Sequence, residues 1–414
     1  MNRRVVVTGM GIVSPIGIGK EAFWQSLIEG RSGIDRITRL DASTYPCQIA
    51  GEVRDLSYRD LIDPKRLRRM TQSTQFAVAA AKLALADAGL DPIGDNPYMV
   101  GSVIGTSVGN LKEGLEQEAV LLERGAARVN PFISLSLYDG SIAAAVAIEA
   151  HAQGPVFSVS GGCASSLCAL GVAADLVRGG SLDVCLSGGA ESPIFPLALI
   201  SMSRSQQLAT LNDDPPRASC PFDRRHQGIV LSEGACILVL EEMSRAEERQ
   251  APIYGEIMSH ALGCEAYDLF DLEPSGDNAA NVLRQVLERA VVTPADIDCI
   301  NAHGSSNANW DRKETRVLKR VLGEAAYAIP ISATKSIMGH TFGAAAAFQV
   351  ASALLSLNYQ LLPPTINLQE PDPECDLDYV PNIPRPVTAR TCLVNSFSHG
   401  GINSFMVLKN YPSR

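Results

Sequence analysis

The sequence predicts an α/β fold whose sheets are covered on both faces, and three observations carry that expectation. Short apolar stretches alternate with apolar helical stretches along the chain, as covered sheets of this class require. The order of these stretches repeats, the second part of the chain echoing the first. Two helical stretches, 164–178 and 342–356, are apolar or small almost all round, which suits a layer enclosed between two sheets better than a surface.

Taken in order, VVVTGMGIVSPIG (5–17) reads as a buried strand running into a glycine turn, with IYGEIMSHALGC (253–264) as its counterpart. TQSTQFAVAAAKLALADAGL (71–90) reads as a surface helix ending at Gly89, with Lys82 and Asp87 turned outward. YMVGSVIGTSVGNL (98–111) resembles IDCINAHGSSNANW (297–310), each an apolar strand followed by a loop of small residues. GPVFSVSGGCASSLCALGVAADLV (154–177) resembles YAIPISATKSIMGHTFGAAAAFQVASALL (327–355), each a strand, a polar loop and a helix rich in small residues. CILVLEE (236–242) and FMVLKN (405–410) close the two halves as strands. The polar run EEMSRAEERQAP (241–252) marks the expected division, 1–250 from 251–414.

A net charge of −10 argues against a nucleic-acid partner. The apolar run near the N-terminus is broken by Thr8, Gly9 and Gly11, unlike a secretory signal. Glycines and serines interrupt the uncharged run 151–174, which argues against a membrane span. The ten cysteines form no CxxC pair and no zinc spacing with histidine, so buried free thiols in a reducing cytoplasm and no metal are expected.

Cys163 stands at the strand-to-helix break of SVSGGCASSL. A thiol there meets the positive end of a helix, which favours thiolate, and the small neighbours leave room for a substrate. The bland alternative is a small core cysteine. Of only six histidines, His303 (NAHGSSN) and His340 (TKSIMGH) fall in glycine- and serine-rich loops after predicted strands, and Lys335 lies five residues before the second. NSFSHGGIN (395–403) adds His399 and paired glycines.

With VVVTGMGIVSPIG, SVSGGCASSL, PFDRRHQGIVLSEGA, NAHGSS, TKSIMGH and NSFSHGGIN in this order, the chain resembles the β-ketoacyl-acyl-carrier-protein synthases of the thiolase-like superfamily, the elongating Cys-His-His class. The resemblance implies a layered α-β-α-β-α sandwich of two similar halves. It implies that Cys163 carries the acyl chain as a thioester. His303 and His340 would stabilise the enolate formed when a malonyl thioester loses CO2, with Lys335 holding their loop. The backbone N–H groups of Cys163 and His399 would form the oxyanion hole, and no cofactor would be needed beyond the phosphopantetheine arm of an acyl carrier protein. A dimer is implied, of like subunits or with a chain-length-factor-like partner. RASCPFD, DRKETRVLKRVLGEAAY and PPTINLQEPDPECDLDYVPN lean toward the active ketosynthase subunits of type II polyketide systems.

Departures from the family pattern fall at its acyl gate and arm-contact loop. His399 replaces a phenylalanine gate, Ser305 and Asn307 replace two threonines that contact the pantetheine, and Asp268 and Phe270 replace a histidine and a threonine. His226 stands where an arginine is common. Lys65, Arg66, Arg68 and Arg69, extended by Arg124 and Arg128, form a candidate docking patch for an acidic carrier protein. They are equally the solvated start of a helix. Two other functions stay open on the residues: a cysteine acyltransferase or thioesterase that never elongates, and a non-catalytic partner subunit.

Overall fold

The computed structural model describes residues 3–54, 56–58, 61–90 and 96–411. Ten strands build the body. In the first half these are β1 (Val5–Ser14), β2 (Val100–Gly105), β3 (Val156–Val159), β4 (Val184–Glu191) and β5 (Gly234–Glu242). In the second they are β6 (Gly255–Cys264), β7 (Cys299–Asn301), β8 (Ile331–Ser332), β9 (Thr391–Ser398) and β10 (Ile402–Lys409). The spatial order is β3-β2-β4-β5-β1 in one half and β8-β7-β9-β10-β6 in the other. From each outer edge the pairings run parallel, parallel, antiparallel, antiparallel. The segments matched by sequence therefore occupy equivalent places. The halves also meet edge to edge, where Val6 and Val7 of β1 pair with Glu256 and Gly255 of β6.

The helices that position the site are α1 (Gln72–Ala88), α2 (Leu111–Arg124), α3 (Gly140–Glu149), α4 (Ser165–Arg178), α5 (Asp277–Ala290), α6 (Ala308–Leu322) and α7 (Ala345–Tyr359). α4 packs on β2 and β4 and reaches β6 and β10 of the other half; α7 packs on β9 and β7 and reaches β5 and β4. These two helices form the central layer, which is why their faces carry small and apolar residues all round. The outer layers are α1 with α3 on one half of this continuous sheet and α5 with α6 on the other half. α1 starts at a Thr71 cap and stops at Gly89 in the left-handed region. It lies against β1 because glycines make room: a Cβ on Gly11 would fall 1.7 Å from the Ala80 carbonyl oxygen.

Asp87 corrects the expected outward face of α1. It accepts the Met10 N–H at 2.8 Å and meets Lys20 and Tyr254, tying α1 to β1. Lys82 likewise turns to Glu149 of α3, at 3.2 Å. Among the described residues one helical stretch, Phe342–Tyr359, is long and apolar enough to cross a membrane, and it is 89% buried as the central layer. The ten cysteines are free, and eight are buried; Cys163 and Cys264 are the others.

Candidate active site

Cys163 lies between β3 and α4, two residues before the helix begins at Ser165. Gly162 takes a left-handed φ of +58°, and a Cβ there would come within 2.0 Å of Ser398 Oγ. The Cys163 N–H donates to Ser398 Oγ at 2.9 Å, and Ser396 Oγ donates to the Cys163 carbonyl at 3.2 Å. Burial pushes the thiol up to about 11, against the opposing pull of Lys335 and the Ser398 hydroxyl. Burial thus opposes the thiolate that the helix end would favour.

One cavity of about 260 Å³ brings Cys163, His303, His340, Ser305, Ser398 and His399 together, with Met202, Ile229, Phe342 and Phe397 supplying apolar wall. The imidazoles of His303 and His340 meet edge to face, centroids 5.5 Å apart. Each has its Nδ1 engaged by a backbone donor: Phe342 N–H to His340 at 3.1 Å and Phe397 N–H to His303 at 3.4 Å. An Nδ1 that accepts carries no proton, so both rings are held as the Nε2–H tautomer. Burial, with the Lys335 charge next, holds both well below the ordinary histidine range, so they are neutral donors.

Lys335 stands behind this pair. It donates to the His303 carbonyl at 2.5 Å and to Gln349 Oε1 at 3.0 Å, and burial lowers it to about 8. It is not among the cavity's lining residues. The carboxylate of Glu314 accepts from the N–H groups of His303 and Gly304, both at 2.8 Å, and from Asn395 at 2.7 Å. Burial raises it to about 7. Lys335 and Glu314 thus grip the backbone of the His303 loop from two sides.

An outer cavity of about 520 Å³ is lined by Phe270, Asn307, Arg312 and Arg316, and it shares Gln207, Trp310 and His399 with the inner one. His399 rests edge-on against Trp310 at 5.3 Å, at the partition. Burial lowers its pKa, while a bond to the Phe270 backbone pulls the other way. Ser305 faces the inner space, Asn307 the outer. Phe270 is 77% exposed at the mouth, and Asp268 accepts from the Phe270 and Asp271 N–H groups instead of lining either cavity.

The six basic residues do not form one uniform patch. Lys65, Arg68, Arg69, Arg124 and Arg128 are exposed and Arg66 is half-buried. Arg66 pairs with Glu149 at 2.5 Å, and Arg69 lies over the Phe132 ring at 4.7 Å. His226 bridges Asp311 and Asp372, at 3.0 Å each, with its pKa raised by those carboxylates against burial. Among the described residues no cluster of three or more His, Cys, Asp or Glu could hold a metal.

Sequence reasoning missed Ser398, Glu314 and Glu191. Glu191 is fully buried at the end of β4; it accepts from the Ser107, Val108, Gly109 and Gly343 N–H groups, and burial brings it to about 7. It joins the loop after β2 to the loop after His340. The available signals were a carboxylate closing an apolar strand and another on the buried face of α6.

Residues 2–246 match the family described as β-ketoacyl synthase, N-terminal domain, and residues 254–369 match its C-terminal domain. The chain is 39% identical over 99% of its length to 3-oxoacyl-[acyl-carrier-protein] synthase 2 of a Synechocystis species, covering 98% of that protein. It is 40% identical over 98% of its length to the tetracenomycin polyketide synthase ketoacyl synthase alpha subunit of Streptomyces glaucescens, covering 97%. Among solved structures, the ishigamide ketosynthase/chain length factor superposes with a TM-score of 0.93 at 32% identity, covering 100% of both chains. A type II polyketide acyl-carrier protein in complex with its ketosynthase, bound to the hexaketide, gives 0.91 at 33% identity over 99% of this chain and 100% of that one. The chain belongs to the β-ketoacyl synthase family and is a condensing enzyme, an acyltransferase that forms a carbon–carbon bond.

Proposed function

We propose that Cys163, His303 and His340 carry out the two half-reactions of decarboxylative condensation on groups delivered by the phosphopantetheine arm of an acyl carrier protein. The single observation that carries the assignment is their convergence on one cavity, with both imidazoles neutral and fixed as Nε2–H donors. In the first half-reaction the Cys163 sulfur attacks the acyl thioester. A C–S bond to Cys163 forms as the C–S bond to the arm breaks, and the thiol proton leaves with the departing arm. In the second, malonyl thioester loses CO2, and the electron pair left on carbon is delocalised onto the thioester oxygen. Two preset N–H donors in a dry pocket stabilise that charge without reorganising. The carbanion then displaces Cys163 from the acyl carbonyl, giving the β-ketoacyl thioester on the arm and returning a thiolate that takes up a proton.

The Cys163 and His399 N–H groups serve as the oxyanion donors, and Lys335 with Glu314 holds the histidine loop. Ser305 and Asn307 would contact the arm along the inner and outer cavities, with Phe270 at the mouth and His399 as the gate. No metal or organic cofactor has a part in these steps. The pathway we favour is type II polyketide or polyene elongation over fatty-acid synthesis, on the sequence segments noted above and the polar gate.

The carrier docks by charge through Lys65, Arg68, Arg124 and Arg128, with Arg66 and Arg69 in supporting contacts. A second subunit, like or chain-length-factor-like, covers the face around β3. Among the described residues that strand ends its sheet paired on one edge only, and Leu135 and Ile148 beside it are 71% and 61% exposed. A cytoplasmic setting suits the ten free thiols.

The test supplies acyl- and malonyl-carrier protein and follows CO2 and the β-ketoacyl product by mass. The proposal predicts an acyl adduct on Cys163 and one CO2 per product. Acylation without CO2 would instead mean an acyltransferase that does not elongate.

A further inference from the structure

The backbone of Cys163 is held at its N–H and at its carbonyl by hydroxyls from β9. Ser398 Oγ accepts its N–H at 2.9 Å, and Ser396 Oγ donates to its carbonyl at 3.2 Å. Residues two apart on a strand face the same side, so one strand of the second half supplies both contacts. Ser398 is 2% exposed yet lines the cavity, and Gly162 lacks the Cβ that would fill the space of the hydroxyl.

An amide presents one hydrogen. The N–H that Ser398 occupies is one of the two donors that the proposed mechanism gives to the thioester oxygen. Two oxygens cannot both take that hydrogen at full strength. We propose that Ser398 is a positioning residue that fills the oxyanion seat of the empty enzyme, its hydroxyl turning off the Cys163 N–H when a thioester carbonyl arrives. Rotation about χ1 moves Oγ between staggered wells and leaves β9 in place. The closed seat keeps a buried donor paired in the resting enzyme, and acylation must first break that hydrogen bond, a cost of about fivefold in rate for a bond of ordinary net strength. This rests on Cys163 being the acylated residue.

Ser398→Ala and Ser398→Gly in the full-length enzyme test it with two measurements on Cys163. Acylation by a hexanoyl-pantetheine thioester needs the oxyanion seat, whereas alkylation by iodoacetamide does not. The ratio of the two rate constants is expected to rise about fivefold in both variants. A loss of folding or of thiol reactivity would lower both rates and leave the ratio where it was. An unchanged or reduced ratio overturns the proposal. If both variants fail to fold, a crystal structure of the acylated wild type decides: the acyl oxygen should have taken the Cys163 N–H, and a Ser398 hydroxyl still bonded there overturns it. A wild type that no thioester acylates at Cys163 overturns the nucleophile assignment itself.

Discussion

The two junctions that enter the central layer are built alike and do opposite work. In the first half β3 leads through Gly161 and Gly162 to Cys163 and α4; in the second β8 leads through Gly339 to His340 and α7. Both end on a buried helix, but they are held differently: hydroxyls of Ser398 and Ser396 hold the Cys163 turn, while carboxylates hold the histidine loops, Glu191 bonding Gly343 beside His340 and Glu314 bonding the His303 loop. Yet one junction presents a thiol whose proton is held by burial, and the other an imidazole kept proton-poor by burial. Desolvation disfavours charge of either sign. The pocket therefore rests neutral, and charge is made only when substrate brings it.

The largest effects should separate the two junctions. Cys163→Ala should abolish product and adduct alike, by at least about 10³-fold, seen by mass spectrometry of protein and carrier. His303→Ala and His340→Ala should keep the adduct and lose CO2 release by about 10²–10³-fold. A histidine variant that elongates near the wild-type rate breaks the division of labour.

Next come the pinning carboxylates. Glu314→Ala should lower stability by about 3 kcal/mol, because it strands buried donors and removes the opposing charge that acts most strongly on Lys335. Glu191→Ala should cost a similar amount by the same reasoning. Thermal melts compare them directly, and a loss under about 1 kcal/mol in either would remove that loop's anchor from the comparison.

A smaller effect lies in pH. With its thiol near 11, Cys163 should be alkylated ever faster as pH rises, with no plateau below pH 9. A plateau near 7 would restore the low-pKa thiol that the motif suggests. The neutral histidines stay uncharged through pH 6.5, so condensation should not titrate out there.

The smallest concerns the seam between the halves, where His226 joins Asp311 and Asp372. Its folded pKa lies above 6.5, so its contribution is complete below that value and lost as pH rises through the folded one. Melting temperature should fall by a few degrees across that window, and His226→Gln should flatten the dependence. A pH-independent melt in the wild type would show that the bridge adds nothing through its charge.

What could be read from sequence was what is encoded locally. The alternation of strands and apolar helices announced the layers, and glycine-flanked loops after strands announced Cys163, His303 and His340. What could not be read depends on residues far along the chain. The charge that pulls on the Cys163 thiol, Lys335, lies in the other half, Ser398 is 235 positions away, and Arg66 is paired with Glu149. Asp87 looks like a solvent residue on a helical wheel, but β1 and Tyr254 arrive to meet it.

The backbone donors to the two imidazoles carry a consequence for how this site can change. Phe342 holds a left-handed φ of 40° while its amide meets His340, and the amide of Phe397 meets His303. Since the main chain itself places the protons, an alanine scan of the neighbourhood would pass over the instruction entirely. Swapping the amide at 342 or 397 for an ester would erase it, and evolution has no codon for that.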